Sequence, residues 1–258
     1  MGDTGRRVLI TGASSGIGAA LARELAGRGD TVGLVARRED RLAEVLADCR
    51  RTAPASQMWV ADLADPDATD RVSAAALEAF GAVDVLVNNA AVPGVRPVER
   101  LDPETVERVM QVNLHAPVRL TLALLPKMLE QGRGTIVNVS SLGGRLGILR
   151  EAAYCASKFA LCGWSEALAL DLWDTPVRVR LIIPGPVDTE IWDRPGEEHA
   201  AYEGDQVPAE EVAVGIAAAI DSDAFEHYLP DLRDVALFKA NQIDDFLALT
   251  VEAMRAEG

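Results

Sequence analysis

Short apolar segments alternate with longer amphipathic segments along almost the whole chain, and this alternation restricts the possible folds more than any other feature. The short segments are rich in β-branched residues, and several of them end at glycine. They cover residues 7–12, 31–36, 57–63, 83–90, 134–141, 177–185 and 226–230. The segments between them have the apolar spacing of helices, including a long one at 102–129 and another at 232–255.

Strands that are apolar on both faces and separated by helices predict a parallel sheet covered by helices on both sides. We therefore predict one doubly wound, Rossmann-type α/β domain over residues 1–258, because no repeat or linker divides the chain. A variable segment at about 190–207 and a helical C-terminal segment at about 231–258 complete it. Ligands bind at the carboxyl ends of the strands in such sheets, so functional residues are expected in the following loops.

Composition argues against several classes of function. A net charge of −15 disfavours nucleic acid as a partner, and there is no apolar run of roughly 18 residues that would span a membrane. Cys49, Cys155 and Cys162 lack the spacing of metal ligands, and the three histidines lie far apart, so no metal is expected. The N-terminus lacks the pattern of a signal peptide. We expect a cytoplasmic protein with reduced cysteines.

The sequence "TGASSGIG" at residues 11–18 directly follows the first predicted strand and precedes the first predicted helix. Gly12, Gly16 and Gly18 allow a tight turn, close approach of the backbone to a pyrophosphate and tight helix–strand packing. The N–H groups of the next helix would then face the anion. This context indicates dinucleotide binding, and a purely structural turn is the alternative.

The end of the second predicted strand bears on which dinucleotide is bound. Ala36 stands where proteins selective for NAD usually have an acidic residue, and Arg37 and Arg38 follow it. Two cations at the start of a helix oppose the helix dipole, and the 2′-phosphate of NADP would explain them. The alternative is a solvated helix end, neutralised by Glu39 and Asp40. We predict NADP(H).

The sequence "YCASKFALCG" at residues 154–163 places a phenol and an ammonium one helical turn apart in an apolar segment. Both groups are costly to bury without partners, and the segment is too apolar for an exposed face. Hydride transfer to a carbonyl needs a proton donor, but a free phenol has a pKa of about 10. Lys158 is expected to lower the pKa of Tyr154.

Six motifs in order resemble the short-chain dehydrogenases/reductases: "TGASSGIG", "NNAA" (88–91), "QVNLHA" (111–116), "VNVSS" (137–141), "YCASK" and "PGPVDT" (184–189). The resemblance implies an NADP(H)-dependent oxidoreductase that acts on a ketone or a secondary alcohol. Two alternatives remain. One is a dinucleotide-binding sensor or scaffold without turnover, and the other is a reductase of C=N or C=C bonds on the same fold.

The resemblance also implies roles for individual residues. Ser141 would hold the substrate oxygen, with Ser140 pointing to the other side, and Tyr154 would be the acid/base. Lys158 would hydrogen-bond the nicotinamide ribose, and Asn113 would position a water that contacts the lysine. For Asn113, pairing with the backbone is the alternative. The expected cofactor contacts are Gly12, Ser14, Ser15, Gly16, Ile17, Gly18, Arg37, Arg38, Asp62, Leu63, Asn89, Ala90, Tyr154, Lys158, Pro184, Gly185, Val187 and Thr189.

The substrate is expected to contact three variable segments: residues 142–153, the segment after Thr189, and the C-terminal stretch. In these segments Trp192 could cover an apolar substrate or simply pack, and Arg150 could bind an anionic group or be solvated. An apolar stripe in the C-terminal stretch could pack on this domain or on another subunit, and comprises Val235, Phe238, Ile243, Phe246, Leu247 and Leu249. By resemblance, a homodimer or homotetramer is expected.

Overall fold

The computed structural model describes residues 5–191, 198 and 204–256. Within these residues, seven strands form one parallel sheet in the order β3-β2-β1-β4-β5-β6-β9, and β7 pairs separately with β8. In chain order the strands are β1 (Arg7–Thr11), β2 (Thr31–Ala36), β3 (Gln57–Val60), β4 (Val85–Asn88), β5 (Gly134–Val139), β6 (Val177–Pro184), β7 (Val187–Asp188), β8 (Val207–Pro208) and β9 (Glu226–Leu229). The prediction of a doubly wound parallel sheet is confirmed, and strand order reverses between β1 and β4.

Helices cover both faces of this sheet, and each face has its own apolar core. Residues of α1, α2 and α7 pack on one face, and residues of α3, α5 and α6 pack on the other. The helices are α1 (Gly16–Gly27), α2 (Glu39–Cys49), α3 (Pro66–Phe80), α4 (Pro103–Met110), α5 (Ala116–Glu130), α6 (Ala152–Asp171), α7 (Ala209–Asp221), α8 (Arg233–Asn241) and α9 (Ile243–Ala256). Among the described residues, no helix is long and apolar enough to cross a membrane.

The long helix predicted at 102–129 is present, with a local change of winding. It begins at Pro103, where the side chain of Asp102 accepts a hydrogen bond from the backbone N–H of Thr105 at 2.7 Å. Gln111–His115 then form a π-helical turn between α4 and α5. Such turns are rare in proteins overall, but many of those that occur lie at functional sites. This one contains the predicted site residue Asn113.

The prediction of a single C-terminal helix at 232–255 is wrong in one respect, because the chain forms two helices there. Gln242 lies between α8 and α9 with φ −140° and ψ 61°, which is not a helical conformation. The rings of Phe238 and Phe246 meet edge to face across this break, with their centroids 6.4 Å apart. The break thus allows apolar residues of both helices to face the same region.

The variable segment at about 190–207 begins and ends beside a small pair of strands that the sequence pattern does not reveal. β7 pairs with β8, and the backbone N–H of Val207 donates to the carbonyl of Pro186 at 3.0 Å. Most of this segment, including Trp192, lies outside the described residues.

An ion cluster joins β1, β4 and β5 where these strands begin, at the edge of the sheet opposite the loops that follow the strands. Asp84, 7% exposed, accepts hydrogen bonds from the backbone and side chain of Arg7 and from the side chain of Arg133, at 2.7–2.9 Å. Burial alone would raise the pKa of this carboxyl, but the hydrogen bonds outweigh it and lower the pKa to about 2. The carboxylate therefore ties β1, β4 and β5 together.

We expect Asp84→Asn to lower the free energy of unfolding at neutral pH by about 2 kcal/mol, because the arginines lose a charged acceptor. The depressed pKa means that this stabilisation is complete above the unfolded value of 3.8 and is lost as the pH falls towards 2. Urea denaturation of both proteins as a function of pH measures this. The difference between them should shrink below about pH 4.

Glu130→Gln is the matched control, because Glu130 forms an exposed ion pair with Lys127. It should change stability by no more than about 0.5 kcal/mol. A loss as small for Asp84→Asn, or one that is independent of pH, would contradict this role of Asp84.

Candidate active site

A cavity of about 740 Å³ opens along the loops that follow strands β1 to β6. Eighteen predicted site residues line it: Gly12, Ser14, Ser15, Gly16, Ile17, Arg37, Arg38, Asp62, Leu63, Asn89, Ala90, Ser141, Tyr154, Lys158, Pro184, Gly185, Val187 and Thr189. Gly18 and Asn113 are the two predicted residues outside this lining. The carboxyl edge of the sheet thus brings together residues that are far apart in sequence.

The glycine-rich turn requires glycine at all three predicted positions. Gly12 and Gly16 have φ of +70° and +51°, a region that residues with a side chain rarely adopt. A Cβ atom on Gly12 would lie 2.8 Å from Cα of Ala90, and one on Gly16 would lie 2.9 Å from Cγ2 of Thr189. One on Gly18 would lie 2.4 Å from the carbonyl oxygen of Gly12. Gly18 therefore lies behind the turn and permits close packing of helix α1 on it.

Thr11 and Asn89 form hydrogen bonds that hold this turn against the loop after β4. The sequence analysis did not assign this role to Thr11. The Thr11 hydroxyl accepts hydrogen bonds from the backbone N–H groups of Asn89 and Ala90, both at 3.0 Å. The Asn89 amide donates to the carbonyl of Thr11 at 2.9 Å. Asn89 was expected to line the cofactor pocket. It also holds in place the glycine-rich turn at residues 11–18, which we call the glycine cradle. Thr11 belongs to the "TGASSGIG" motif, so the signal was present.

Arg38 lies over the start of helix α1. Its guanidinium donates to the Ser15 hydroxyl at 2.6 Å and to the Ser14 hydroxyl at 3.3 Å. It also binds Glu190 at 2.6 Å, and Arg41 binds the other carboxylate oxygen of Glu190. Arg41 and Glu190 were not singled out from the sequence, since Glu190 is 152 positions away from Arg38.

Arg37 points elsewhere, with its guanidinium 3.9 Å from the carboxylate of Asp62. Glu39 and Asp40, the expected neutralising partners of the two arginines, form no ion pair with either of them. Among the described residues, Glu39 and Asp40 thus do not neutralise the arginines through ion pairs, while both guanidinium groups remain partly exposed to solvent. The partners come from the loops after β3 and β7, which meet the start of α2 at this edge of the sheet.

Tyr154 lies in the first turn of α6 and forms a side-chain hydrogen bond with Ser141. The Ser141 hydroxyl oxygen also accepts from the backbone N–H of Gly143 at 3.1 Å. Burial raises the pKa of Tyr154 above its ordinary value, and the hydrogen bond with Ser141 opposes this only in part. Lys158 is not among the groups that shift this pKa, so the lowering expected from Lys158 is not supported, and the phenol retains its proton at neutral pH.

Lys158 is 2% exposed, although its side chain borders the cavity. Its ammonium donates to the carbonyl of Val139, at the end of β5, at 2.9 Å. It lies 5.6 Å from the centroid of the Tyr154 ring. Burial lowers the pKa of Lys158 to about 8, because the charged form loses its hydration. The lysine is therefore close to its own titration near neutral pH.

Asn113 is fully buried in the π-helical turn, and its side chain forms hydrogen bonds with neighbouring residues. Its amide nitrogen donates to the carbonyl of Val92 and to the hydroxyl of Ser157, each at 3.0 Å. Its amide oxygen accepts from the backbone N–H of Val92 at 2.9 Å. The side chain thus pairs with backbone, as in the alternative interpretation, and connects the loop after β4 to α6. A water relay from Asn113 to Lys158 stays a prediction.

Ser140 points away from Tyr154, as expected. Its hydroxyl donates to the carbonyl of Lys158 at 3.2 Å and lies 3.2 Å from the sulfur of Cys162. The two adjacent serines therefore have different surroundings. Ser140 attaches the end of β5 to helix α6, whereas Ser141 contacts the phenol.

The outer part of the cavity is formed by the segment before α6 and by the C-terminal helices. Its apolar lining includes Leu146, Ile148, Leu149, Val235, Phe238, Phe246 and Leu249. The C-terminal stripe therefore contributes to this domain's own cavity, whereas Ile243 and Leu247 do not line it. Val235 and Leu249 line the cavity but are exposed, as Ile243 and Leu247 are. Arg150 does not line the cavity, and its expected role at the pocket mouth is not supported. The adjacent Glu151 does line it.

Comparisons with known proteins agree with this geometry. A family model described as short chain dehydrogenase matches residues 6–200. A protein of Streptomyces violaceoruber, provisionally named a ketoacyl reductase of the granaticin polyketide synthase, is 34% identical over 97% of this chain and 91% of its own length.

Two similar solved structures differ in their cofactor. A short-chain dehydrogenase/reductase from Burkholderia phymatum in complex with NAD has a TM-score of 0.84 and 27% identity, covering 93% of this chain and 94% of its own. A short-chain dehydrogenase from Sphingobium yanoikuyae in complex with NADPH has a TM-score of 0.82 and 29% identity, covering 95% of each chain. The fold and the glycine cradle agree with the matched family model and with the Streptomyces violaceoruber relative, and together they lead to one conclusion: this chain belongs to the short-chain dehydrogenase/reductase family.

Proposed function

We propose that the protein is an NADP(H)-dependent carbonyl reductase or secondary-alcohol dehydrogenase. The observation that supports this best is the meeting of Ser141, Tyr154 and Lys158 at the wall of the cavity that also contains the glycine cradle. A protein that only binds a dinucleotide has no use for a buried lysine beside a phenol. The proposed direction in the cell is reduction of a ketone.

The cradle fits a dinucleotide. A Cβ atom at Gly12 or Gly16 would fill the turn, and α1 begins there without a side-chain cap, which leaves its first N–H groups available to an anion. The adenosine end would lie near Asp62 and Leu63, and Thr189 would hold the carboxamide. When bound, the nicotinamide supplies the electron pair that reduces the carbonyl carbon.

The residues of the chain supply the proton and hold the substrate. Ser141 donates a hydrogen bond to the carbonyl oxygen and fixes it beside Tyr154. Because burial raises its pKa, Tyr154 is protonated and can give its proton to the oxygen as negative charge develops there. The resulting phenolate lies near the Lys158 ammonium, whose charge stabilises it.

The preference for NADP(H) rests on the charges at the end of β2. Ala36 provides no carboxylate for the ribose hydroxyls, while Arg38 and Ser14 are placed to bind a phosphate. Glu190 already supplies an anion to Arg38 and Arg41. We propose that the 2′-phosphate replaces Glu190 as their partner.

Assembly and location complete the proposal. We propose a homodimer or homotetramer formed through α5 and α6, since these helices and the turn after α6 leave large apolar side chains exposed. These are Leu122, Leu129, Phe159, Leu170 and Trp173. Sedimentation analysis measures the oligomeric state directly. A cytoplasmic location stays a prediction.

Tyr154→Phe is expected to reduce kcat for ketone reduction by about a thousandfold, because it removes the proton donor and leaves the ring in place. NADPH binding, followed by the fluorescence of the bound nicotinamide, should change by less than about twofold in affinity. Tyr228→Phe is the matched control, since Tyr228 is buried in β9 and does not line the cavity. Equal activity of Tyr154→Phe and the control would exclude Tyr154 as the acid.

Arg38→Ala is expected to weaken NADPH binding about ten- to a hundredfold and to leave NADH binding almost unchanged, because it removes a charge-assisted contact to the 2′-phosphate. Glu190→Gln should strengthen NADPH binding, since it removes the competing anion. Calorimetric titration measures both effects without turnover. Arg51→Ala is the control, because Arg51 is exposed just beyond the end of α2. Tighter binding of NADH than NADPH by the wild-type protein would contradict the assignment.

A further inference from the structure

Glu151 is a buried carboxyl that the proposed chemistry does not use. It lies directly before α6, three residues from Tyr154, and is 6% exposed. It lines the outer part of the cavity. Tyr154 lines the same cavity, so Glu151 faces the side of α6 that carries the catalytic phenol.

No structural partner accounts for this carboxyl. Glu151 occupies the N-cap position of α6, but its side chain forms no capping hydrogen bond. In the described part of the chain it forms no ion pair. Burial raises its pKa to about 7, as expected for a carboxyl without a cation beside it. Unpaired buried carboxyls are costly, so Glu151 is a candidate for binding a ligand.

The backbone before Glu151 is strained, which also points to function. Arg150 has φ of 64°, in the left-handed region that residues with a side chain rarely adopt. Its carbonyl accepts a hydrogen bond from the backbone N–H of Arg96 at 2.8 Å, which helps to hold this conformation. The turn leaves the Arg150 side chain out of the cavity lining and Glu151 in it. Such strain persists mostly at active and ligand-binding sites.

The surroundings of Glu151 define the kind of ligand. The other charged residues that line the cavity are Arg37, Arg38, Asp62, Lys158 and Glu190, and all of them belong to the cofactor side or to the catalytic pair. Among the described residues, the outer part therefore has one charged group, and it is acidic. Its other walls are aliphatic or aromatic, including Phe238 and Phe246. Aromatic rings and a carboxylate together suit a cation on an apolar skeleton.

We propose that Glu151 is a specificity-determining residue that binds a cationic nitrogen of the substrate, so that the enzyme prefers ketones carrying a protonated amine on a compact apolar skeleton. This inference rests on the proposed function, since it concerns the substrate of the same site. It also predicts discrimination against ketones that carry a carboxylate in the same place.

Two ketones of nearly equal shape test the proposal: N-methylpiperidone, with a protonatable nitrogen opposite the carbonyl, and methylcyclohexanone, with carbon there. Wild-type protein with NADPH should have a KM about ten- to a hundredfold lower for the amine, the range expected for one charge-assisted contact. Glu151→Gln should abolish this difference by raising the KM for the amine, with little change for methylcyclohexanone. Glu151→Asp, which retains the charge, should keep part of the preference.

Glu166→Gln is the matched control on the same helix, because Glu166 is outside the cavity lining and binds Arg145. It should leave both KM values unchanged, and thermal melting checks that every variant is folded. An unchanged amine preference in Glu151→Gln, or a wild-type preference for methylcyclohexanone, would overturn the assignment of Glu151. If the wild-type protein reduces neither ketone, the proposed function fails for these substrates. Calorimetric titration of N-methylpiperidone into the wild-type and Glu151→Gln proteins then tests the subsite on its own, and equal affinity would overturn it.

Discussion

The burial of the Lys158 ammonium beside Tyr154 is the constraint on which the rest of the site depends. A charged group that is 2% exposed needs a partner, and the carbonyl at the end of β5 provides one at 2.9 Å. This contact fixes α6 against the sheet and thereby places Tyr154 at the cavity wall, next to Ser141. The π-helical turn at Asn113 supports the same arrangement, because its side chain connects the loop after β4 to Ser157 of α6. One polar cluster therefore serves the packing of α6 and, under the proposed function, the chemistry as well.

The cofactor side of the cavity depends on a different feature, the close approach of backbone segments. Strand order reverses between β1 and β4, which opens a crevice at their carboxyl ends. Three glycines allow the turn after β1 to fit there, and Thr11 and Asn89 bind that turn to the loop after β4. Arg38 and Arg41 at the start of α2 then bind Glu190, which follows β7. Under the proposed function, cofactor choice thus depends on a contact between segments that are distant in sequence.

Much of this could be predicted from local pattern. The strands, the glycine turn and the Tyr154–Lys158 pair depend on residues that are close in sequence, and their positions were predicted correctly. Contacts between residues that are far apart in sequence were not predicted. The Arg38–Glu190 pair spans 152 positions, and the break at Gln242 is accompanied by packing of Phe238 against Phe246. Arg150 was expected at the pocket mouth and Glu151 was not considered, because periodicity could not reveal the left-handed backbone conformation of Arg150. The direction of the pKa shift of Tyr154 also needed the burial that only the fold shows.

The central claim is that Ser141, Tyr154 and Lys158 reduce a carbonyl with the cofactor held in the adjoining cradle. A single-turnover experiment on the wild-type protein tests it most directly. NADPH is bound to the protein in equal amounts, and uncharged ketones and compounds with C=N or C=C bonds are added one by one. Loss of the nicotinamide absorbance is followed together with the appearance of the reduced product. We expect one equivalent of alcohol for each equivalent of NADPH consumed. Bound NADPH that stays reduced with every ketone, or is consumed only by compounds with C=N or C=C bonds, would contradict the account.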